Sequence, residues 1–497
     1  MASLPPIDLK NIQGDILEGL AKKQETFLFF RISDHVDAFR TQLASFVPLI
    51  TSVNGAKKLH QNIKDAKKEA AKAGKEPPLL EMSGINIAFS QKGLNKLGIK
   101  DDIGDDVFKQ GMLADVDNLG DDLADWDKHF KEEIHVMILV AANSEQVLDQ
   151  EIDKVKRIFH GGQKDAGLVK VTQLAGHTRP GKEDGHEHFG FNDGLSQPAV
   201  KDVDTKPVPG QETVRQGVIL LGREGDDGVA PPGTTAPGVT RPPWAIDGSF
   251  LAFRYLRQLV PEFDAFLEQN ALKVPHPIAP GDPTGAELLG ARLVGRWKSG
   301  APVDSTPIRD DPALAVTEKN QDFRFDPNSQ VRCPFAAHLR KTNPRADLDA
   351  FGGTEIRRIL RRGIQFGPEV TDSEKKHKKS SEDEKLERGL LFACYQSNIA
   401  NGFQFIQHSW VNTPTFPPGK TAPPVDPPVP NGAGVDPLIG IATPRQLVGT
   451  DPAISAANTE LELTAKWVIP KGGEYLFSPS IKALKETFAK SKGNDEL

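Results

Sequence analysis

Two segments rich in aromatic and aliphatic residues, 25–32 (ETFLFFRI) and 249–255 (SFLAFRY), have a similar pattern although they lie in different halves of the 497-residue chain. Each predicts a buried strand, because such side chains suit the pleated surface of a sheet. A stretch with helical periodicity follows each of them. The repetition suggests that the fold contains the same unit twice.

Other segments extend this scheme. Further strands are predicted at 84–89, 134–141, 390–395 and 403–408. Residues 144–159 predict a helix that begins with Ser144 as its N-cap. Strands that alternate with helices indicate an α+β or α/β fold, and the length allows two domains or one large duplicated one.

The composition is typical of a soluble globular protein, with 38% hydrophobic and 26% charged residues. No run of about eighteen apolar residues occurs, so no membrane span is expected. A net charge of −7 argues against nucleic acid as the main partner. The lysine-rich segment 57–75 contains Asp65 and Glu69 and lacks aromatic residues, which favours a solvated helix over a nucleic-acid site.

The first six residues, MASLPP, have neither a basic region nor an apolar core, so the sequence predicts no secretory signal in this chain. A cytoplasmic protein and a mature secreted protein with an added start methionine both fit. Cys333 and Cys394 stand beside apolar residues and predict buried free thiols. Surface loops are predicted at 229–243 and 413–434, and a solvated loop or frayed helix at 375–388.

The motif that carries most chemistry is residues 186–194 (HEHFGFNDG), which place Asp193 between two glycines and close behind Phe189 and Phe191. Apolar surroundings would leave this carboxylate poorly solvated, so that it could exchange protons near neutral pH. Residues Asp193 and Gly194 are also a common turn dipeptide, and an ordinary turn remains the alternative.

Two later segments, 333–345 (CPFAAHLRKTNPR) and 357–367 (RRILRRGIQFG), accompany this motif. Together the three segments resemble the haem pocket of the dye-decolourising peroxidases. Residues 11–17 (NIQGDIL) and 472–480 (GGEYLFSPS) are also similar to segments of that family. The resemblance therefore spans nearly the whole chain, and the fungal branch of the family fits best by length.

The resemblance implies an α+β fold of two ferredoxin-like halves, each with an antiparallel sheet flanked by helices. We predict an N-terminal half over residues 1–215, a C-terminal half over 245–497 that holds most of the haem, and a Pro- and Gly-rich connection over 216–244. No Cys-x-x-Cys-His motif occurs in the sequence, so the expected cofactor is non-covalently bound haem b.

By resemblance, His338 is the axial ligand of the haem iron. Asp436 is assigned by local pattern as the acidic partner of its second ring nitrogen, which would make the imidazole more electron-donating. An Asp-Pro turn at the end of the proline-rich loop is the alternative explanation of Asp436.

The resemblance also places Asp193 and Arg361 on the side where peroxide binds. Asp193 would act as general acid–base, and Arg361, which is always charged, would favour the peroxide anion. Arg362 would instead be a surface residue or a contact to a haem propionate. Leu390 and Phe392 alternate on one strand face and are expected over the haem, although ordinary sheet core explains them equally well.

Two further sites are suggested by fungal relatives. Trp410 occupies the position of a surface radical tryptophan, at what is predicted to be a strand end, although packing is the commoner role of such a residue. A Mn²⁺ site would use the carboxylates of Glu212, Asp349 and Glu355, with Asp347 nearby. We consider an adventitious acidic surface the better explanation of these carboxylates.

The sequence thus predicts a haem peroxidase that uses hydrogen peroxide to oxidise dyes, phenols and related aromatic compounds in one-electron steps. A non-catalytic haem-binding protein of the same fold is the first alternative, which the presence of both Asp193 and Arg361 disfavours. The second is a non-haem metal site formed by His177, His186 and His188.

Overall fold

The computed structural model of the protein describes residues 5–75, 78, 80–159, 164–228, 239–273, 282–426, 428–441, 445–452 and 460–490. The predicted connection 216–244 and the predicted loop 229–243 therefore lie partly outside the described residues. In the described part of the connection, short 3₁₀ helices occupy Gln216–Val218 and Pro243–Ala245. The division into domains at this connection stays a prediction.

The strands and helices are mostly short. The strands are Gln24–Ile32 (β1), Ser83–Phe89 (β2), Val136–Ala142 (β3), Leu168–His177 (β4), Ala199–Val200 (β5), Thr213–Val214 (β6), Ser249–Gln258 (β7), Leu360–Arg361 (β8), Ile364–Phe366 (β9), Gly389–Gln396 (β10), Gln446–Leu447 (β11), Leu461–Glu462 (β12) and Val468–Ser478 (β13). The α-helices are Gly14–Leu17 (α1), Val36–Phe46 (α2), Val53–Lys72 (α3), Gln91–Lys96 (α4), Asp106–Gln110 (α5), Val116–Leu119 (α6), Glu145–Ile158 (α7), Val260–Gln269 (α8), Gly285–Val294 (α9), His338–Thr342 (α10), Asp372–His377 (α11), Phe403–Phe405 (α12) and Ile481–Ala483 (α13). Single turns of π-helix follow at Ile406–Val411 and Leu484–Phe488.

One large antiparallel sheet contains the same strand order twice. In the first half the order is β4-β1-β3-β2, and in the second it is β13-β7-β10-β8, with β9 also paired to β10. The strands of each half can be numbered in chain order, with β8 and β9 counted together as the second strand of the second half. Both halves then have the order 4-1-3-2. The predicted duplication into two ferredoxin-like α+β halves is confirmed.

The two halves join into one sheet and then curl towards closure. The junction is the pairing of Phe89 on β2 with Phe477 on β13. At the opposite edges, β4 approaches β9 so closely that a Cβ on Gly176 would lie 2.7 Å from the carbonyl oxygen of Gln365. The sheet therefore wraps into a barrel whose interior needs large apolar side chains.

The two segments whose patterns repeat meet in this interior. Phe253 of β7 lies with its ring centroid 4.8 Å from that of Phe27 and 5.0 Å from that of Phe29, both on β1. All three rings are fully buried. Aromatic pairs at such distances add to the free energy gained from apolar burial.

The predicted capped helix forms as α7. The Ser144 side chain accepts a hydrogen bond from the Val147 N–H, and Val147, Leu148, Ile152 and Val155 form its buried face. The lysine-rich segment forms α3, whose side chains are mostly exposed, as predicted. No helix of the described ranges is long and apolar enough to cross a membrane. Both cysteines are buried free thiols, as predicted.

One of the two remaining local predictions is wrong. Residues 403–408 form helix rather than strand, because Phe403, Ile406 and Trp410 recur at helical spacing and are buried on one side. Residues 375–388 are mostly exposed loop after the short helix α11, as predicted, although Arg388 at their end is buried and donates to the Glu374 carboxylate at 2.8 and 2.9 Å.

Candidate active site

A deep cavity opens in the C-terminal half, where the loop after β4 folds over β7, β10 and the helix α10. Its walls are largely apolar. The aliphatic and aromatic lining includes Phe189, Phe191, Leu256, Leu390, Phe392, Phe403, Leu438 and Val468. Leu390 and Phe392 thus face the cavity from one side of β10, as the sequence predicts, while Leu391 and Ala393, which alternate with them, are buried in the barrel core.

The loop that carries Asp193 is organised around a carboxylate that the sequence did not single out. Glu187 accepts hydrogen bonds from the backbone N–H groups of Phe189 and Phe191, both at 2.9 Å. These bonds fold the loop so that both phenylalanine rings are buried. Gly194, with φ of 75°, then takes a left-handed backbone conformation that favours glycine.

Asp193 and Arg361 meet in this cavity. Arg361 Nη1 donates to the Asp193 carboxylate at 2.9 Å, and Arg361 Nη2 donates to the carbonyl oxygen of Ser196 at 3.2 Å. Burial raises the pKa of Asp193, but the charge of Arg361 and the hydrogen bond from the Gly194 N–H outweigh it, so that the pKa lies below its usual value. The expectation that apolar surroundings bring the pKa of Asp193 near neutral is therefore wrong for this state, because the partner of the carboxylate is a cation.

A side chain that sequence reasoning missed fixes the backbone of Arg361. Gln197 Oε1 accepts from the Arg361 N–H at 3.0 Å, and Gln197 Nε2 donates to the Arg361 carbonyl oxygen at 3.1 Å. The amide thus pairs with Arg361 as a neighbouring strand would. Since Gln197 follows Asp193 by four residues, it ties the Asp193 loop to β8. Only its position close behind the aspartate motif could have drawn attention to it.

His338 begins α10 and lies in the cavity wall. Its Nδ1 is 2.8 Å from the Asp436 carboxylate, which is fully buried and also accepts from the N–H groups of Leu438 and Ile439. The turn and the predicted partnership are therefore both present at Asp436. Burial lowers the pKa of His338, but the charge and hydrogen bond of Asp436 outweigh it and raise the pKa.

Arg362 has neither of its predicted roles. Its guanidinium donates to the carbonyl oxygens of Asp15 and Leu17 at the N-terminal helix α1, at 2.8 and 2.7 Å. Neighbouring residues on a strand point to opposite faces, so Arg361 and Arg362 cannot both enter the cavity.

The cavity residues fit a flat, largely apolar, anionic group with a metal at its centre. With Nδ1 of His338 held by Asp436, Nε2 is the nitrogen available to a metal. Among the described residues, Arg296 Nη2 is buried without a hydrogen-bond partner. Arg358 Nε is also buried without a hydrogen bond, although it forms an ion pair with the Glu212 carboxylate at 3.6 Å. Burial lowers the pKa of Arg296 to about 9, with Arg345 and Arg361 adding to the effect. Buried cationic donors without a hydrogen bond suit the carboxylates of a bound molecule.

Trp410 is not at the surface. It is 4% exposed, and its ring stacks on Phe416 at 5.0 Å and meets the edge of Phe405 at 5.8 Å. The reason is the helical path of residues 403–411, which turns this side chain inward. Arg357, which lines the cavity, lies with its guanidinium carbon 3.5 Å from the Phe405 ring centroid.

The carboxylates considered for Mn²⁺ do not form a site. Each has another partner: Glu355 binds Arg215, Asp349 binds Arg324, and Glu212 accepts from Thr354. No cluster of three metal-ligating side chains occurs in the described part of the chain. The same finding contradicts the alternative metal site of His177, His186 and His188. His188 instead donates from Nε2 to the Phe366 carbonyl oxygen at 2.8 Å.

Comparison with known proteins gives consistent results. Residues 11–180 match the DyP dimeric alpha+beta barrel domain, and residues 291–415 match the C-terminal domain of Dyp-type peroxidases. The chain is 41% identical to the dye-decolorizing peroxidase msp1 of Mycetinis scorodonius over 96% of its own length and 87% of that protein.

Solved structures of dye-decolorizing peroxidases also resemble this chain over nearly its whole length. An ancestral D-type dye-decolorizing peroxidase has a TM-score of 0.87 and 52% identity, with 98% of this chain and 100% of that one covered. A dye-decolorizing peroxidase in complex with 2,6-dimethoxyphenol has a TM-score of 0.80 and 42% identity, with 97% and 100% covered.

Proposed function

The chain belongs to the dye-decolourising peroxidase family, in its fungal branch, and from this premise we propose that it uses hydrogen peroxide to oxidise dyes, phenols and related aromatic compounds at a non-covalent haem b. Peroxidases of this family are haem enzymes. The observation that carries the proposal is that one apolar cavity holds both an imidazole anchored by a buried carboxylate and a separate carboxylate–guanidinium pair.

His338 holds the cofactor in this proposal. Its Nε2 would bind the haem iron, and Asp436 orients the ring and makes the nitrogen more electron-donating. Leu390 and Phe392 supply apolar contacts, and the donors of Arg296 and Arg358 that lack a hydrogen bond suit the haem carboxylates. The haem, when bound, supplies the two-electron reaction with peroxide and the later one-electron steps with substrates.

Asp193 and Arg361 act on the bound peroxide in this proposal. The Asp193 carboxylate would take a proton from one oxygen of peroxide and return it to the other oxygen, which leaves as water. The low pKa of Asp193 keeps it ionised, so that it can act as base from the start. Arg361 stabilises the negative charge that develops, because its guanidinium keeps its proton.

Trp410 is an internal electron relay in this proposal and never contacts a dye directly, since it is buried. Its ring packs on Phe405, above which lies the cavity-lining Arg357. Phenols as small as the ligand of the related 2,6-dimethoxyphenol complex can instead react at the cavity itself.

The test is a visible spectrum of the protein after it has been loaded with haem. We expect a Soret band typical of histidine ligation, which changes on addition of one equivalent of peroxide. His338→Ala should lose this band or its histidine-type position, whereas the exposed His408→Ala should keep both. A protein that binds no haem, or haem whose spectrum peroxide leaves unchanged, would refute the proposal.

A further inference from the structure

The chain has only three tyrosines, and all three phenols donate a hydrogen bond to a carboxylate. Tyr255 donates to Glu387, Tyr395 to Asp15 at 3.1 Å, and Tyr475 to Asp115 at 2.7 Å. Every one of these tyrosines is buried. In an enzyme whose family activity generates oxidising equivalents, a buried phenol with a proton acceptor in place is chemically significant.

The pair of Tyr475 and Asp115 is the most completely built of the three. Tyr475 is fully buried and Asp115 is 1% exposed. The second oxygen of Asp115 accepts from Asn118 at 2.8 Å and from Gln404 at 2.6 Å, so the carboxylate is held in position. Within the ranges that the structure describes, no lysine, arginine or histidine forms an ion pair with Asp115. Its charge is thus left to act on the phenol.

Aromatic rings connect Tyr475 to the cavity. The Phe403 ring centroid lies 6.3 Å from that of Tyr475 and 6.0 Å from that of Phe392, and both phenylalanines line the cavity. Tyr255 instead packs on Phe130 and Phe366, which belong to the barrel core. Electron transfer through protein weakens steeply with distance, so Tyr475 is the best placed of the three.

We propose that Tyr475 and Asp115 form an internal redox site that takes up an oxidising equivalent from the cavity. This inference rests on the proposed function and goes beyond it. Tyr475 gives up one electron, which reduces the peroxide-oxidised haem by one equivalent. The phenolic proton moves to the Asp115 carboxylate. The products are a neutral tyrosyl radical and a protonated Asp115, and the return of one electron and the proton restores both.

The electrostatics of the pair agree with this chemistry. Burial, followed by the charge and hydrogen bond of Asp115, raises the pKa of Tyr475 well above its usual value. The phenol is therefore protonated at any working pH, and it can lose an electron readily only if its proton has somewhere to go. Asp115 provides that place without any contribution from solvent. The site would hold an oxidising equivalent inside the barrel when no substrate is present.

Electron paramagnetic resonance tests the proposal. The haem-loaded enzyme is mixed with one equivalent of peroxide without a reducing substrate and frozen within seconds. We expect a radical signal that narrows when the protein contains ring-deuterated tyrosine. Tyr475→Phe should lose this tyrosine signal. Asp115→Asn should weaken it several-fold, because an amide holds the phenol in place but does not take its proton. Tyr395→Phe is the matched control and should keep the signal. Tyr395 is also buried, but among the described residues no aromatic contact connects it to the cavity.

The outcomes separate this inference from the proposed function. The absorption spectrum of each sample shows whether haem is bound and has reacted with peroxide, and its failure to react would overturn both. If the haem reacts but deuterated tyrosine leaves the signal unchanged, or if Tyr475→Phe keeps the tyrosine signal, only the redox site is refuted. Should Tyr475→Phe fail to fold, Asp115→Asn decides the matter, because an undiminished signal in that variant is incompatible with the proposal.

Discussion

His338 Nδ1 lies 2.8 Å from the carboxylate of Asp436, although 98 positions separate these residues in the chain. The carboxylate is fully buried and is itself held by two backbone N–H groups. The imidazole is therefore fixed in orientation, and its second nitrogen is directed by the bond that the first one makes. A short, charge-assisted contact of this kind is strong enough to set the properties of the ring.

We predict that Asp436→Asn lowers the pKa of His338. The carboxylate is what raises this pKa against burial, so a neutral amide leaves burial to favour the uncharged ring. An NMR titration of the histidines in the haem-free protein measures this directly. In the haem-loaded protein the reduction potential should rise, because the ligand donates less. Asp349→Asn, an exposed carboxylate of the same half, is the control, and an unchanged pKa in Asp436→Asn would contradict the prediction.

We predict that Arg361→Leu moves the acid limit of the peroxide reaction to higher pH. In the native protein Asp193 has a pKa below its usual value, so the base is lost only under strongly acidic conditions. Without Arg361, the carboxylate loses the strongest influence that lowers its pKa, so the effect of burial is less opposed and the pKa rises. The rate at neutral pH should also fall, by about 10²- to 10³-fold if the lost charge acts as oxyanion-hole donors do. Stopped-flow absorbance from pH 3 to 8 in steps of about one unit gives both results.

The control for that experiment is Arg362→Leu. This side chain donates to carbonyl oxygens of α1 and lies away from Asp193, so its loss should lower stability and leave the acid limit in place. If both variants shift the limit equally, the effect does not come from the contact between Arg361 and Asp193.

We predict that Gln197→Leu slows the peroxide reaction, although Gln197 makes no hydrogen bond to the side chain of Asp193 or to the guanidinium of Arg361. It removes the two hydrogen bonds from Gln197 to the Arg361 backbone and leaves the Arg361 N–H unpaired, whereas the carbonyl oxygen keeps a bond from Arg362 Nη1 at 3.1 Å. The free energy of unfolding should fall by about 1–3 kcal/mol, measured by urea denaturation. Gln211→Leu, which removes a bond to the Gln197 carbonyl, should leave the rate near that of the native protein. Equal rates in Gln197→Leu and the native protein would show that Arg361 needs no such support.

We predict that Trp410→Phe keeps the peroxide reaction and reduces turnover of bulky, high-potential dyes. The indole is buried, so dyes reach it only through electron transfer, whereas small phenols react at the cavity and should be less affected. Steady-state assays with one substrate of each kind separate the two effects. Trp244→Phe, which replaces a tryptophan packed on Phe477 and Phe488, is the control. If Trp410→Phe oxidises both substrate classes like the native protein, Trp410 has only a packing role.

Much of the site could be predicted from short motifs. Asp193, Arg361, His338, Leu390 and Phe392 all line the cavity to which the sequence assigned them. Asp193, His338 and Arg361 lie in three distinctive segments whose order resembles the dye-decolourising peroxidases, and that resemblance also implied the positions of Leu390 and Phe392. Their catalytic roles remain predictions that the experiments above decide.

Two wrong predictions, the strand at 403–408 and the surface position of Trp410, have the same cause. Residues 403–408 are short and apolar, and such a run fits a strand or a buried helix equally well until its neighbours select one. The helix then buried Trp410, which the strand prediction had left near the surface. The carboxylates Glu212, Asp349 and Glu355 were considered for Mn²⁺ by resemblance to fungal relatives, with an adventitious acidic surface as the preferred explanation, and each forms its hydrogen bonds elsewhere.

The sequence by itself determined the repeated strands, the capped helix α7 and the three motifs of the cavity, because each depends on residues within about ten positions of one another. Only the tertiary structure decided three contacts: the ion pair of Asp193 with Arg361, which lowers the pKa of Asp193, the hydrogen bonds of Gln197 to the Arg361 backbone, and the hydrogen bond of Tyr475 to Asp115. These pairs are 168, 164 and 360 positions apart in the chain. Charge and hydrogen bonding act over a few ångströms, and only the order in which the strands assemble brings such residues within that range.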